Sequence, residues 1–200
     1  MDIQEVLSFC ELLVQFGEVD RRLLLPSGTR DENDAEHSYT LAMTAWYIIT
    51  KAKLPLDVNR ALKYALAHDL IETYAGDTFI YDKARTSDKA HREHLAAEIL
   101  QRNYPDFEEL HQLIQRYEQR SDDEARFIYA LDKVIPVLII YLGGGKSWQR
   151  DKITLEMLRR HKQAKVAESA TVANLWEQLL ALLEKQPELF GSTAATRNQR

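Results

Sequence analysis

One cysteine, Cys10, stands among 200 residues, so no intrachain disulfide can form. That excludes a disulfide-stapled secreted scaffold and points to an intracellular, cytoplasmic setting. Cys10 lies in the apolar run Leu7, Phe9, Cys10, Leu12, Leu13, which predicts a buried small hydrophobe. Long hydrophobic runs are also missing. The most apolar stretch, Val134 to Leu142, is far too short to span a bilayer. The N-terminal MDIQEVLSF has no basic region ahead of its apolar residues, so it does not read as a signal peptide. Positive charge is not in excess: 26 basic against 31 acidic side chains give a net charge of -5. This excludes a general attraction to nucleic acid polymers or anionic membrane, and leaves room for a local basic pocket around a small phosphate. No sustained polar-apolar alternation, strand-helix repeat or low-complexity block occurs. Gly143–Gly145, followed by Lys146 and Ser147, lacks the full phosphate-loop pattern and a preceding strand, and reads as a helix stop.

What remains is helical periodicity. Ile3, Val6, Leu7, Cys10, Leu13 and Val14 predict a helix over 2–16 that stops at Gly17. An irregular stretch, 18–33, follows. Asp34 reads as the N-cap of a helix to about Lys53, with Leu41, Ala45, Ile48, Ile49 and Ala52 facing inward. Pro55 breaks the pattern, Asp57 caps a helix over 58–74, and Gly76 ends it. Further helices are expected over 86–103, 107–118, 122–142 and, as one or two pieces, 148–185. The expected fold is all-α: a single globular helical bundle over residues 1–190, followed by a flexible tail at 191–200.

Three of these helices carry parts of one candidate site. His37 sits in the first turn of the second helix, His68 and Asp69 are adjacent near the end of the third, and Asp132 interrupts an apolar helix face. An acid among Ile128, Leu131, Ile135 and Leu138 is expensive unless paired or metal-bound. Imidazole and carboxylate suit divalent first-row metals. Ala61, Ala65, His68 and Glu72 step along one helix face, and Gly76 turns the chain to place Asp77 just beyond. On spacing alone, a metal site and ordinary packing are evenly matched. Asp132 could equally pair with Arg126 or Lys133.

The order His37, His68-Asp69, Asp132 resembles the HD-domain metal-dependent phosphohydrolase superfamily. The segments TRDENDAEHSYTLAMTA, ALAHDLIETYAGD and ALDKV resemble its branch of 5'-deoxynucleotidases and HD-domain-containing relatives, over roughly residues 20–140. The resemblance implies an HD-domain-like bundle in which His37, His68, Asp69 and Asp132 bind one divalent ion. Mn, Co, Mg, Fe, Ni and Zn are not distinguished. Glu72 matches the catalytic acid and Asp77 an acid near the substrate sugar and attacking water. Arg22 matches the phosphate-binding arginine, with Arg21 as the alternative in a shifted register. Arg30 and Glu32 match supporting residues at the loop-helix junction. Glu36 and Thr40 are candidates to orient the histidines. Leu23 stands where that branch usually has tryptophan, and the loop to Arg30 is one residue longer.

The implied activity is hydrolysis of a phosphomonoester, a (deoxy)nucleoside 5'-monophosphate, by a cytoplasmic homodimer with no nucleic-acid or membrane partner. The alternatives are another HD-type phosphohydrolase, acting on nucleoside triphosphates, cyclic nucleotides or other phosphate esters, and a non-enzymatic binding protein with a structural metal. His91 and His94 share a face and could hold a second metal, although their charged segment favours a solvated role. His111 and His161 read as surface residues. Trp46, Tyr47 and Trp176 read as core or interface, and Tyr74 and Tyr81 as packing residues near the Asp77 loop.

Overall fold

Asp2 opens helix α1 (Ile3–Phe16): its carboxylate accepts from the Gln4 amide, and Glu5 reaches back to complete a capping box. The computed structural model describes residues 2–190, and the tail expected at 191–200 lies outside them. Only Leu12 and Phe16 of α1 are fully buried. Cys10 is exposed rather than buried, because it lies with Ile3, Leu7 and Val14 on the side turned away from that inner stripe.

The irregular stretch contains a small two-stranded sheet, β1 (Asp20–Leu24) against β2 (Asp31–Asn33). Charged Asp20, Arg21 and Arg22 gave no alternation by which to recognise it. Helix α2 (Asp34–Ala52) is capped by Asn33, not Asp34: Asn33 Oδ1 accepts from the Glu36 amide and Glu36 Oε2 accepts from the Asn33 amide. Glu36, a candidate to orient a histidine, is thus engaged in the cap.

The helix expected over 58–74 is broken. Helix α3 (Val58–Ala67) is capped by Asp57 and ends before His68. The amides of Leu70, Glu72 and Thr73 then bond three residues back, to Ala67, Asp69 and Leu70, before the short α4 (Glu72–Ala75). These tighter turns replace the four-residue ladder. After α5 (Lys83–Ser87) come α6 (Lys89–Asn103), α7 (Glu108–Gln119) and α8 (Asp123–Leu142). The last stretch is divided into α9 (Lys146–Asp151), α10 (Leu155–Val166) and α11 (Ala170–Leu183), followed by a 3₁₀ turn at Pro187–Leu189.

Backbone contacts gather into two units. The first comprises Met1–Arg22 and Asp31–Ile128. In it α2 packs on α3, α3 on α7, and α4 on α1 and α6. Leu12, Phe16, Leu70, Ile71, Leu100 and Ile114 belong to its apolar cluster. The second comprises Leu23–Arg30 and Tyr129–Arg200. Here α10 packs on α11, and Trp176, Val166, Val172 and Leu183 are fully buried. Trp176 Nε1 donates to Gln163 Oε1 at 2.8 Å, and Trp148 stacks on Phe190. Gly143–Gly145 ends α8 as expected. Gly145 takes φ +75°, and a Cβ there would lie 2.0 Å from the Leu189 carbonyl oxygen, so only glycine fits. Helix α8 is one unbroken helix; its residues up to Ile128 belong to the first unit and those from Tyr129 to the second. Among the described residues no helix is long and apolar enough to cross a membrane.

Candidate metal centre

His68 stands where α3 gives way to the tight turns. Its Nδ1 lies 2.9 Å from the Ala65 carbonyl oxygen. A carbonyl only accepts, so Nδ1 donates to it and Nε2 is the nitrogen left facing the other groups of the site. Nε2 lies 3.0 Å from Asp69 Oδ2. His37, wholly buried in the first turn of α2, has its ring centroid 5.5 Å from that of His68. Ligand atoms from His37, His68, Asp69 and Asp132 of α8 all lie within 4.8 Å of one another. Two imidazole nitrogens and two carboxylate oxygens, with the His68 ring held at Nδ1 by a backbone carbonyl, fit a divalent first-row ion. Asp132 is buried, and Lys133 Nζ pairs with its Oδ2, so the ion-pair alternative and membership of the group coexist on one carboxylate.

The surroundings are unusually acidic for an interior. Glu32, Asp34 and Glu72 are all buried. Burial pushes the Glu72 carboxyl well above its ordinary range, and the charges of Asp69, Asp34 and Asp77 push it further, against the pull of Arg21. Burial likewise raises Asp34 to about 6, although Arg21 opposes it. Lys89 of α6 stands 3.7 Å from Glu72. Burial disfavours its charge, but Glu72 and Glu93 prevail and raise its pKa.

Arg21 is drawn into this acidic region. Its Nη1 donates to Asp34 Oδ1 at 2.8 Å and to Asp69 Oδ2 at 3.0 Å. Arg22, the next residue, is exposed and lies over the Phe79 ring, 4.9 Å from its centroid. The neighbours therefore diverge, one inward to carboxylates and one outward to the loop of Asp77. Leu23, where the resembling branch has tryptophan, is buried. Arg30 is exposed in the β1–β2 connection, and its carbonyl accepts from the Leu25 amide. Glu32 lies 3.6 Å from His37 Nδ1, a supporting position.

Asp77 is half-buried and follows Gly76, which takes φ +70°. Arg92 of α6 grips both flanks of this turn: Nη1 donates to the Ala75 carbonyl at 2.6 Å and Nη2 to Thr78 Oγ1 at 2.8 Å. Phe79 and Tyr81 meet edge to face beyond it. Burial raises the Tyr81 hydroxyl to about 12. His91 and His94 are exposed, and His94 faces Glu98. His111, expected at the surface, is half-buried and bonds the Tyr104 carbonyl. His161 is exposed, and Tyr74 packs against the first unit's apolar cluster. Trp46 and Tyr47 are exposed, whereas Trp176 is core.

Asp34, Lys89 and Arg92 escaped the sequence reading. For Asp34 a signal was present: Asn33 and Glu36 already make a capping box, which frees Asp34 for another task. Arg92 and Lys89 sit in a highly charged helix whose pattern gave no reason to single them out.

The model of the HD domain family matches residues 15–176. The chain is 30% identical to 5'-deoxynucleotidase HDDC2 of Bos taurus over 138 residues, covering 68% of this chain and 66% of that protein. It is 29% identical to the Homo sapiens counterpart, again over 66% of its length. The match thus spans just under two thirds of these relatives. Among solved structures, a predicted metal-dependent phosphohydrolase of Magnetospirillum magnetotacticum MS-1 is 29% identical with a TM-score of 0.80, covering 95% of this chain and 96% of that one. A Pyrococcus horikoshii OT3 protein with a TM-score of 0.62 and 20% identity shares the fold.

Proposed function

Because this chain belongs to the HD domain family, we propose that it is a metal-dependent phosphomonoester hydrolase converting (deoxy)nucleoside 5'-monophosphates to nucleosides and phosphate. The observation that carries this reading is the gathering of His37, His68, Asp69 and Asp132 ligand atoms beside a buried Glu72. The similarity to 5'-deoxynucleotidases supports the substrate class. One divalent ion held by those four residues would supply Lewis acidity toward a phosphoryl oxygen and make water a better nucleophile.

The remaining work falls to side chains. Water attacks phosphorus, the bond to the ester oxygen breaks, and a proton must leave the water while one reaches the departing alkoxide. Glu72, buried beside Asp69, is placed to take the water's proton and pass it to the alkoxide. Asp77, on the clamped turn, orients the attacking water or a sugar hydroxyl. Arg22 is the phosphate-binding candidate: it is exposed, and its flat fork of donors matches phosphoryl oxygens. Arg21 already donates to two carboxylates, which argues against the shifted register. Arg30 and Glu32 support the junction ahead of α2.

The test is phosphate release from a panel of ribo- and deoxynucleoside monophosphates by protein supplied with Mn, Co, Mg, Fe, Ni or Zn. His68→Ala and Asp69→Ala are expected to lose metal together with turnover. Absence of release across the panel by a metal-loaded protein overturns the reading.

We further read the protein as a cytoplasmic homodimer. Ile3, Leu7 and Val14 on α1, and Tyr39, Trp46 and Tyr47 on α2, leave apolar faces exposed that a second copy would cover. Light scattering at micromolar concentration is expected to give twice the chain mass. A monomer overturns this point alone.

A further inference from the structure

Arg21 is a half-buried cation on a short strand, and its partners matter more than its charge. Nη1 is shared between Asp34 Oδ1, at 2.8 Å, and Asp69 Oδ2, at 3.0 Å. Nε lies 3.6 Å from Glu32 Oε2, and the same Glu32 oxygen lies 3.6 Å from His37 Nδ1. One guanidinium thus touches a proposed metal ligand directly and reaches a second through a buried carboxylate. Its three partners leave β2, α2 and the α3–α4 turn, so Arg21 ties together the elements that deliver those ligands. Without it, Asp34, Asp69 and Glu72, whose oxygens lie within 4.8 Å of one another, would repel.

We propose that Arg21 is a positioning residue that presets Asp69, and His37 through Glu32, for metal binding, rather than a group that binds the substrate phosphate. This rests on the metal-dependent reading above. A planar fork can hold carboxylates in fixed directions, which a lysine's single ammonium cannot. Asp34 is the anchor: wholly buried at the start of α2, it accepts from the same Nη1 that donates to Asp69. Partners that orient metal ligands typically govern affinity by about 10–100-fold.

The experiment is Mn²⁺ binding without substrate, read by the free-ion electron paramagnetic resonance signal, for wild type, Arg21→Gln and Arg21→Lys. Michaelis parameters are measured at saturating metal. The Gln variant is expected to bind Mn²⁺ about 10–100-fold more weakly. The Lys variant is expected to recover part of that affinity, and both are expected to keep a near-normal KM once loaded. Mn²⁺ affinity within twofold of wild type with a KM raised tenfold overturns the proposal and makes Arg21 a phosphate ligand. If circular dichroism shows the Gln variant unfolded, Arg21→Lys decides: wild-type Mn²⁺ affinity in that folded variant overturns the positioning role. Failure of wild type itself to bind Mn²⁺ or any other tested ion strikes the underlying reading instead.

Discussion

The two units treat their interiors differently. The first buries Glu32, Asp34, His37, His68 and Glu72, and holds Arg21 among them. The second builds its core from Trp176, Val166, Val172, Leu179, Leu180 and Leu183, with Trp176 bonded to Gln163, and among its described residues the buried charged groups are Asp132 and Lys162. Burying ionisable groups lowers stability unless each finds a partner, whereas an apolar core is stabilising by area alone. The contrast separates a cluster of ionisable groups suited to chemistry, which Asp132 joins from the second unit's residues, from an apolar core suited to folding. Substitutions in the ionisable cluster should alter activity more than stability, and those in the Trp176 core the reverse.

The largest expected effect is at Glu72. Glu72→Gln should lower kcat by about 10²–10⁴-fold, read in a phosphate-release assay, with metal still bound. Because the Glu72 pKa is raised on folding, the folded state holds its proton longer than the unfolded chain does. Its contribution to stability is therefore full below about 4.5, the ordinary carboxyl value, and is lost as pH rises through the folded pKa. In chelator, the Gln variant should melt higher than wild type at neutral pH. Equal activity, or a lower melting temperature there, breaks the contrast.

Trp176→Ala tests the other side. Removing a wholly buried tryptophan should destabilise by about 3–5 kcal/mol in denaturant unfolding. Metal affinity of the folded fraction should stay within twofold of wild type. Gly145→Ala should be milder, about 1–3 kcal/mol, as the new methyl must displace the Leu189 carbonyl and a left-handed backbone is strained. A thermal melt reads it, and an unchanged midpoint would remove the close contact from the account.

The smallest effect sharpens the comparison, because it is a structural acid within the first unit. Asp122 Oδ1 accepts from the Ala125 amide at 2.8 Å, and Tyr64 Oη donates to Asp122 Oδ2 at 2.7 Å. Burial pushes its carboxyl upward, but those donors with Arg116 and Arg60 outweigh it and hold the pKa below 3.8. The stabilisation is present above about 3.8 and is lost as pH falls through the folded value. Asp122→Ala should remove about 1 kcal/mol at neutral pH and flatten the acid limb of the stability profile. Hydrolysis should be unaffected.

The sequence made much of this legible for physical reasons that differ by element. Helices α2 and α8 present apolar residues at helical spacing, and Pro55, Gly76 and Gly143–Gly145 stop the chain where conformation requires it. Asp132 stood out because an ionisable group on an apolar helix needs a partner, whereas spacing left His37, His68 and Asp69 evenly matched between a metal site and ordinary packing, and only the resemblance of their order to the HD-domain pattern joined the four. The end of α3 at Ala67 was not, since residues 68–74 are all compatible with helix and the break lies in hydrogen bonds made three residues back. The Asp34–Arg21 pair was hidden by reading Asp34 as a cap. Cys10 was misplaced because α1 carries apolar residues on more than its inward face, and periodicity alone does not say which stripe is covered.

The grip of Arg92 on Ala75 and Thr78 bears on how a ligand would be received. With a hook on each side of the Gly76–Asp77 bend, the acid is set in place when the chain folds and little ordering is left for encounter. Such a site accepts its guest as a rigid mould does. Cutting the hook with Arg92→Ala should therefore make association more entropically unfavourable in calorimetry while the groups that meet the ligand stay the same.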